Sequence, residues 1–394
     1  MSQRLINRSP DLKLLQGEGY NLEIRSSLLL VKHVPYLDAN RGLRFGTLVS
    51  ALDLANDATV PPASHLAMFI GEHPCKEDGS ILSQIQHSSN RHQQLHDLVI
   101  DHTFSAKPKD GGYRDYHHKM TTYAHIISAP AHAIEPNATA QTFPVIRDDE
   151  TEDVFHYLDT ASDRAGISLI NDKLRLDAVA IIGLGGTGGY VLDLVAKTPV
   201  KAVHLFDGDR MIQHNAFRSP GAASGDDLDG GPLKVNYFTQ IYSRMRRNIV
   251  SHPYYIDESN VDELSSMSFV FICIDKGAAK KLVIQQLESS GVAFIDVGMG
   301  VLEVDGALSG LVRVTTSSPD KRDHVLGKHR VTLADADGIE DYDQNIQIAD
   351  LNALNAALAV IRWKKLYGFY VNLEHEHHSI YAINGNTLIN EDQA

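Results

Sequence analysis

The sequence of 394 residues contains only two cysteines, Cys75 and Cys273. That scarcity excludes a disulfide framework and a zinc site with four cysteine ligands in one chain, and the wide spacing of the pair argues against a site of two cysteines and two histidines. Basic residues are also in short supply. Thirty-six Lys and Arg face 50 Asp and Glu, for a formal net charge of −14, which argues against a general binder of nucleic acid or anionic membrane. An ATP site is not excluded, because phosphate sites are local and built largely from backbone N–H groups. No apolar run follows the opening MSQRLINRSPDLK, so no signal peptide is visible. No stretch approaches the roughly 18 apolar residues of a membrane span, and the expected location is cytoplasmic.

Twenty histidines are present, scattered through the chain. His117 and His118 sit in DYHHKMTTY, and His375, His377 and His378 in HEHHS. Neither group has the helical spacing of a metal-binding HExxH, so both read as solvated or hydrogen-bonding residues.

The chain changes texture along its length. Residues 1–20 are polar and read as an extended, loosely attached arm. Short strand-like runs follow (NLEIRSSLLLVKHVPYL, HLAMFIG, MTTYAHIISA), broken by turn-rich DANRG, EHPCKEDGS and AKPKDGG. RFGTLVSALDLAND fits either a short helix or a strand and turn. This block, residues 1–148, reads as a smaller α+β domain, and AIEPNATAQTFPVIRDDETED as a linker. From residue 155 to 394 the pattern alternates strand and helix. LDAVAIIGL, KAVHLFD, IVSHPYYI, SFVFICID and VAFIDVG are strands, interleaved with helices that include PLKVNYFTQIYSRMR and a stretch from about Ala278 to Ser289. Short apolar runs between amphipathic helices predict an α/β, Rossmann-like domain whose mainly parallel, doubly wound sheet is covered on both faces. IADLNALNAALAVIRWKKLYG, apolar at intervals of three and four, predicts a packed helix near the end.

Gly183-Leu184-Gly185-Gly186-Thr187-Gly188-Gly189 follows the strand AVAII. A glycine turn between a parallel strand and a helix lets backbone N–H groups and the helix N-terminus meet phosphate. Asp207 ends the next strand, where an acidic side chain can accept hydrogen bonds from ribose hydroxyls. On their own these two features fit a nicotinamide dehydrogenase as well as an ATP user. Beyond them come Asn215 and Arg218 in FDGDRMIQHNAFRSPG, Lys234 opening the next helix, and Asp275 closing SFVFICID. All fall at or just past the carboxyl ends of strands, the ligand-binding edge of such a sheet. Hydride transfer does not require Arg, Lys and Asp converging on phosphates. Adenylyl transfer does, because cations must neutralise a triphosphate and a carboxylate must hold magnesium.

In this order of elements the sequence resembles the ThiF/MoeB and ubiquitin-activating-enzyme superfamily over about residues 155–384. The matching features are an upstream Arg, GxGGxG, a DxD-type strand end, an NxxR step, a Lys on the next helix and a strand-end Asp. The resemblance implies that Gly183, Gly185, Gly186 and Gly188 line the nucleotide and Asp207 binds ribose. It implies further that Asn215, Arg218 and Lys234 address the phosphates of ATP and Asp275 binds Mg2+. Arg164, 19 residues before Gly183, matches the arginine that reaches the partner's ATP site in dimeric relatives. A homodimer is therefore expected, with a ubiquitin-like or sulfur-carrier (β-grasp) protein as the second substrate and its C-terminal glycine as the group adenylated. No nucleic-acid or membrane partner is expected.

The chain also departs from that family. Ser219 stands where many relatives carry Gln. The paired CxxC motifs are absent, so zinc is not expected. No cysteine occurs from about Thr316 to Asn345, the crossover segment in which thioester-forming relatives place theirs. Cys273, inside FVFICID, reads as a buried strand residue. Cys75 lies in the polar turn EHPCKEDGS beside Lys76 and near His73, neighbours that can favour a thiolate. HPCKEDGSIL is similar to the HPN…GSI hairpin of ubiquitin-conjugating enzymes, with Leu82 at the position of their cysteine. This suggests that the N-terminal domain handles the activated carrier or its target. Two other readings are an NAD-dependent dehydrogenase and a non-catalytic nucleotide-binding scaffold.

Overall fold

The computed structural model describes residues 2–55, 58–95, 97–109, 111–146, 153–333 and 346–393. The chain divides into two compact units, Met1–Val145 and Ile146–Ala394.

The first unit is an antiparallel sheet of six strands. In spatial order they are Asn21–Arg25, Leu28–Leu37, Leu43–Ala51, Leu66–Ile70, His102–Ser105 and Gln86–Ser88. A helix, Tyr116–Ile134, lies against one face. Asp115 caps it by accepting the His118 N–H at 2.7 Å, as an N-cap aspartate does. Leu29, Val31, Phe69 and Phe104 meet Tyr116, Met120, Tyr123 and Ile127 in its core. On the sheet's other face the hairpin His92–Leu95/Leu98–Ile100 covers Leu28, Leu30 and Val49. The ambiguous RFGTLVSALDLAND resolves as a strand, because Gly46, Leu48 and Ser50 alternate inward. The expected N-terminal arm is instead two helices, Ser2–Arg8 and Pro10–Gly17. Pro10 starts the second, where its missing N–H costs nothing, and Leu12 and Leu15, three residues apart, are both fully buried in the core.

The second unit contains the expected doubly wound sheet. Its strands are β1 (Ala178–Ile182), β2 (Ala202–Phe206), β3 (Ile249–His252), β4 (Phe269–Ile272), β5 (Phe294–Val304), β6 (Ala307–Ser317), β7 (His378–Ala382) and β8 (Thr387–Glu391), in the spatial order β3-β2-β1-β4-β5-β6-β7-β8. The first five are parallel, and β5 to β8 continue the sheet antiparallel. The helices α1 (Gly186–Val195), α2 (Lys234–Tyr242), α3 (Gly277–Ser290) and α4 (Ala349–Leu366) cover it. α1 and α4 bury Val191, Leu192, Ala356 and Trp363 against Val179 and Ile181 on one face. α3 buries Val283, Ile284 and Leu287 against Ala180, Ile182, Val270 and Ile272 on the other. Burial on both faces explains why β1 and β4 are uninterrupted apolar runs, AVAII and FVFI.

A candidate nucleotide site at the switch point of the sheet

The direction of strand addition reverses at β1, whose neighbours are β2 and β4. The crevice outside the carboxyl ends of the strands at such a point is where open α/β sheets bind ligands. A cavity of about 940 Å³ opens there, near the upper end of the range for small-molecule sites.

The glycine turn forms one wall, and its glycines serve different purposes. Gly183 has φ +87°, and a Cβ there would lie 2.7 Å from the Cys273 carbonyl oxygen. A Cβ on Gly188 would fall 1.8 Å from the Gly183 carbonyl oxygen, and one on Gly186 would strike the Asn352 amide at 2.1 Å. These two let α1 pack tightly under the turn and against α4. A Cβ on Gly185 would meet nothing within 4 Å; its open side is the cavity. Gly183, Gly185 and Gly186 border the cavity, whereas Gly188 lies behind them as a packing glycine.

Asp207, at the end of β2, is buried, and both carboxylate oxygens are engaged. Oδ2 accepts the Leu184 N–H at 2.6 Å and Oδ1 accepts the Asp209 N–H at 2.7 Å. The side chain thus pins the glycine turn at the border of the cavity. Burial pushes its carboxyl above the ordinary range, partly offset by Lys234. Lys234, the first residue of α2, is also buried. Its Nζ lies 2.8 Å from Asp209 Oδ2 and 3.9 Å from Asp207 Oδ2. Burial alone would raise the Asp209 carboxyl, but Lys234 and the Tyr255 hydroxyl outweigh it and hold that carboxyl low.

Arg218 borders the cavity, and its buried Nε has no acceptor among the described residues. A buried guanidinium N–H without an acceptor is a costly feature that a bound anion would relieve. Asn215 does not border the cavity. Its Oδ1 accepts the Ile212 N–H at 3.0 Å and its carbonyl accepts the Arg218 N–H at 3.1 Å, so it shapes the turn that presents Arg218. Ser219 is buried, its Oγ without a partner among the described residues. Asp275 lies three residues past the end of β4, exposed at the cavity edge. Arg164 ends a short helix, Thr160–Arg164, and its side chain lies outside what the structure describes.

Sequence reasoning missed several residues that the tertiary fold brings to this cavity: Asp209, Tyr255, Lys276, Lys280, Arg313 and Asn355. Asp209 had a signal in its place two residues after Asp207. Lys280 lies one turn into α3, five residues past Asp275. Arg313 sits in an alternating strand whose inward face sequence alone does not identify.

Cys75 differs from expectation. Cys75 is buried, paired in short bridges with Leu37 and Ile81. Burial pushes its thiol pKa up, and Asp38, Glu72 and Asp78 add to the rise, so the neighbourhood disfavours a thiolate. Cys273, just past β4, packs partly buried against the sheet's core and also borders the cavity; its thiol too is pushed up by burial. The histidine clusters serve local contacts. His117 pairs with Glu18 at 2.9 Å, and His378 Nδ1 lies 3.0 Å from Thr315 Oγ1. Among the described residues no group of three or more His, Cys, Asp or Glu side chains is arranged to hold a metal ion, and no described helix is long and apolar enough to cross a membrane.

The family described as "Domain of unknown function (DUF6791)" matches residues 10–160, and the ThiF family matches residues 163–325. No curated protein matches the sequence. Among solved structures, selenomethionine PaaA is similar at 15% identity and a TM-score of 0.46, over 68% of this chain and 82% of its own. Escherichia coli MccB crystallised with ATP is similar at 16% identity and 0.43, over 57% of this chain and 66% of its own. MccB with AMPCPP and MccA reaches 16% and 0.44, over 60% and 72%. The glycine turn, Asp207, Arg218, Lys234 and Asp275 thus lie within a ThiF-family domain at residues 163–325, preceded in the chain by an additional N-terminal domain.

Proposed function

We propose that this protein uses ATP to adenylate the C-terminal glycine of a ubiquitin-like or sulfur-carrier protein. The observation that carries the reading is the convergence on one cavity of the glycine turn, Asp207, Arg218, Lys234 and Asp275. In this reading the turn at Gly183, Gly185 and Gly186 cradles the nucleotide, with Gly188 supporting it from behind. Asp207 meets the ribose. Arg218, presented by Asn215, and Lys234 neutralise the phosphates. Asp275 holds Mg2+, which would supply further charge neutralisation on the phosphate oxygens. The unsatisfied Arg218 Nε and the open side of Gly185 both fit such an occupant.

The chemistry is an in-line displacement. A carboxylate oxygen of the carrier forms a bond to the α-phosphorus, the bond from that phosphorus to the bridging α–β oxygen breaks, and pyrophosphate leaves with the electron pair. The product is an acyl-adenylate, and the carboxylate arrives ionised, so no proton transfer is needed. The protein positions the reactants and stabilises the charge that develops. In the same reading the enzyme is a homodimer, Arg164 serves the partner's site, residues 155–394 make up the adenylation domain, and residues 1–148 handle the activated carrier or its target.

Exchange of labelled pyrophosphate into ATP tests the reading. Exchange that requires a glycine-terminated β-grasp partner supports it, and its absence with every such partner counts against it. A thermal-shift comparison separates the alternatives, because stabilisation by NAD without a magnesium requirement would identify a dehydrogenase instead.

A further inference from the structure

The cavity continues past the phosphate-facing residues along the β5–β6 hairpin, where a second group of charges lies. Asp296, on β5, is fully buried. Arg313 Nη2 donates to its Oδ2 at 2.5 Å, and Lys280 Nζ, from α3, lies 3.0 Å from its Oδ1. The lysine contact lacks hydrogen-bond geometry, since Oδ1 accepts no hydrogen bond among the described residues. Arg313 and Lys280 border the cavity, with Asp296 behind them. Arg313 Nη1 also donates to Thr315 Oγ1, so two of its five N–H groups are engaged and the guanidinium is fixed in orientation. Two cations over one carboxylate leave a net charge of +1 facing the cavity. That charge matches one substrate carboxylate and is additional to the Lys234–Asp209 pair at the other wall.

The floor in front of Arg313 is shaped by register. Gly298 pairs with Arg313, Gly300 with Leu311 and Leu302 with Ser309, so these residues share one face of the hairpin. A Cβ on Gly298 would lie 2.6 Å from Arg313 Nη2; the guanidinium rests on bare backbone. Leu302 and Leu311 border the cavity and are 70% and 42% exposed, an apolar stretch beginning about 7 Å, two strand residues, from Arg313.

We propose that this trough binds the second substrate as an extended peptide end. Its terminal carboxylate is held by Arg313 and Lys280, with Asp296 as the residue that positions both cations, and an apolar side chain two residues upstream lies on Leu302 and Leu311. The proposal rests on the adenylation reading and narrows its substrate to tails with an apolar antepenultimate residue.

Calorimetry on the full-length protein tests it. The protein is titrated first with AMPCPP and magnesium, and then, saturated with both, with N-acetyl-Leu-Gly-Gly, with its C-terminal amide and with N-acetyl-Ser-Gly-Gly. The acid should bind at least tenfold more tightly than the amide, and more tightly than the serine peptide. Arg313→Gln should weaken binding of the acid roughly ten- to a hundredfold, the effect of losing a charge-assisted hydrogen-bond pair, while AMPCPP binding is unchanged. Because Arg313→Gln leaves Asp296 short of a partner, the pair Asp296→Asn with Arg313→Gln provides a variant without an uncompensated carboxylate, and the same loss is expected of it. Equal binding of acid and amide, or binding of neither, overturns the proposal. So does a fall in AMPCPP affinity with Arg313→Gln, which would assign the arginine to nucleotide phosphate. Failure of the wild-type protein to bind AMPCPP, read in the first titration, overturns the nucleotide reading itself.

Discussion

Lys234 and Asp209 form an ion pair 2.8 Å apart in which the lysine is buried and the aspartate is partly open to the cavity. Asp207 stands 3.9 Å from the same ammonium. One lysine is therefore balanced by two carboxylates in the protein alone, and it is a structural residue as well as a candidate phosphate ligand. Arg218 differs, being partly exposed with a buried Nε that lacks an acceptor among the described residues.

The two cations should respond differently to removal. Arg218→Ala is expected to lower pyrophosphate exchange by about 100- to 1000-fold, the usual effect of deleting one transition-state charge partner, with the unfolding midpoint unchanged. Lys234→Ala is expected to lower exchange comparably and also to destabilise the protein, because it strands two carboxylates of which one is buried. Exchange assays and thermal unfolding on both variants check this. Equal stability of the two would mean that the lysine carries no structural load.

The glycine turn makes a similar distinction. Gly188→Ala forces a Cβ to within 1.8 Å of the Gly183 carbonyl and should destabilise the fold or prevent soluble expression. Gly185→Ala meets nothing within 4 Å in the protein at an allowed φ of −67°. It should fold normally and yet bind ATP at least tenfold more weakly, because the new methyl occupies the cradle. Normal ATP affinity in Gly185→Ala would place the nucleotide elsewhere.

Acid should weaken the second unit through His378. Burial, with Arg330 and Arg313 nearby, lowers its pKa to about 4, against about 6.5 in an unfolded chain. The unfolded state therefore takes up the proton first as pH falls. Stability is fully present above pH 6.5 and declines between pH 6.5 and 4. Denaturant unfolding at pH 7 and pH 5 should differ by about 2 kcal/mol from this group, and His378→Gln should remove that share of the difference.

Cys75 should be chemically quiet. With the residue buried and its thiol pushed up, alkylation by iodoacetamide at neutral pH should be slow in the native protein and fast in denaturant. Cys75→Ala should leave pyrophosphate exchange unchanged. Rapid native labelling would reopen a covalent role for this residue.

The sequence by itself determined the α/β architecture of the C-terminal unit and the location of its ligand-binding edge. Apolar strands, a glycine turn and polar residues at strand ends are local signals, and covalent order carries them. It misjudged residues 1–20 because two buried leucines within a polar stretch reveal their helix only against a core. It allowed Cys75 a thiolate on the strength of its sequence neighbours Lys76 and His73, whereas burial and the carboxylates Asp38, Glu72 and Asp78 set its environment in the fold. Only the tertiary structure decided that Asn215 and Gly188 support the site without facing it. It alone brought Arg313 and Lys280, 33 residues apart in the chain, onto the one buried carboxylate of Asp296. Strand register and helix packing set those meetings, and both depend on long-range burial that no local pattern encodes.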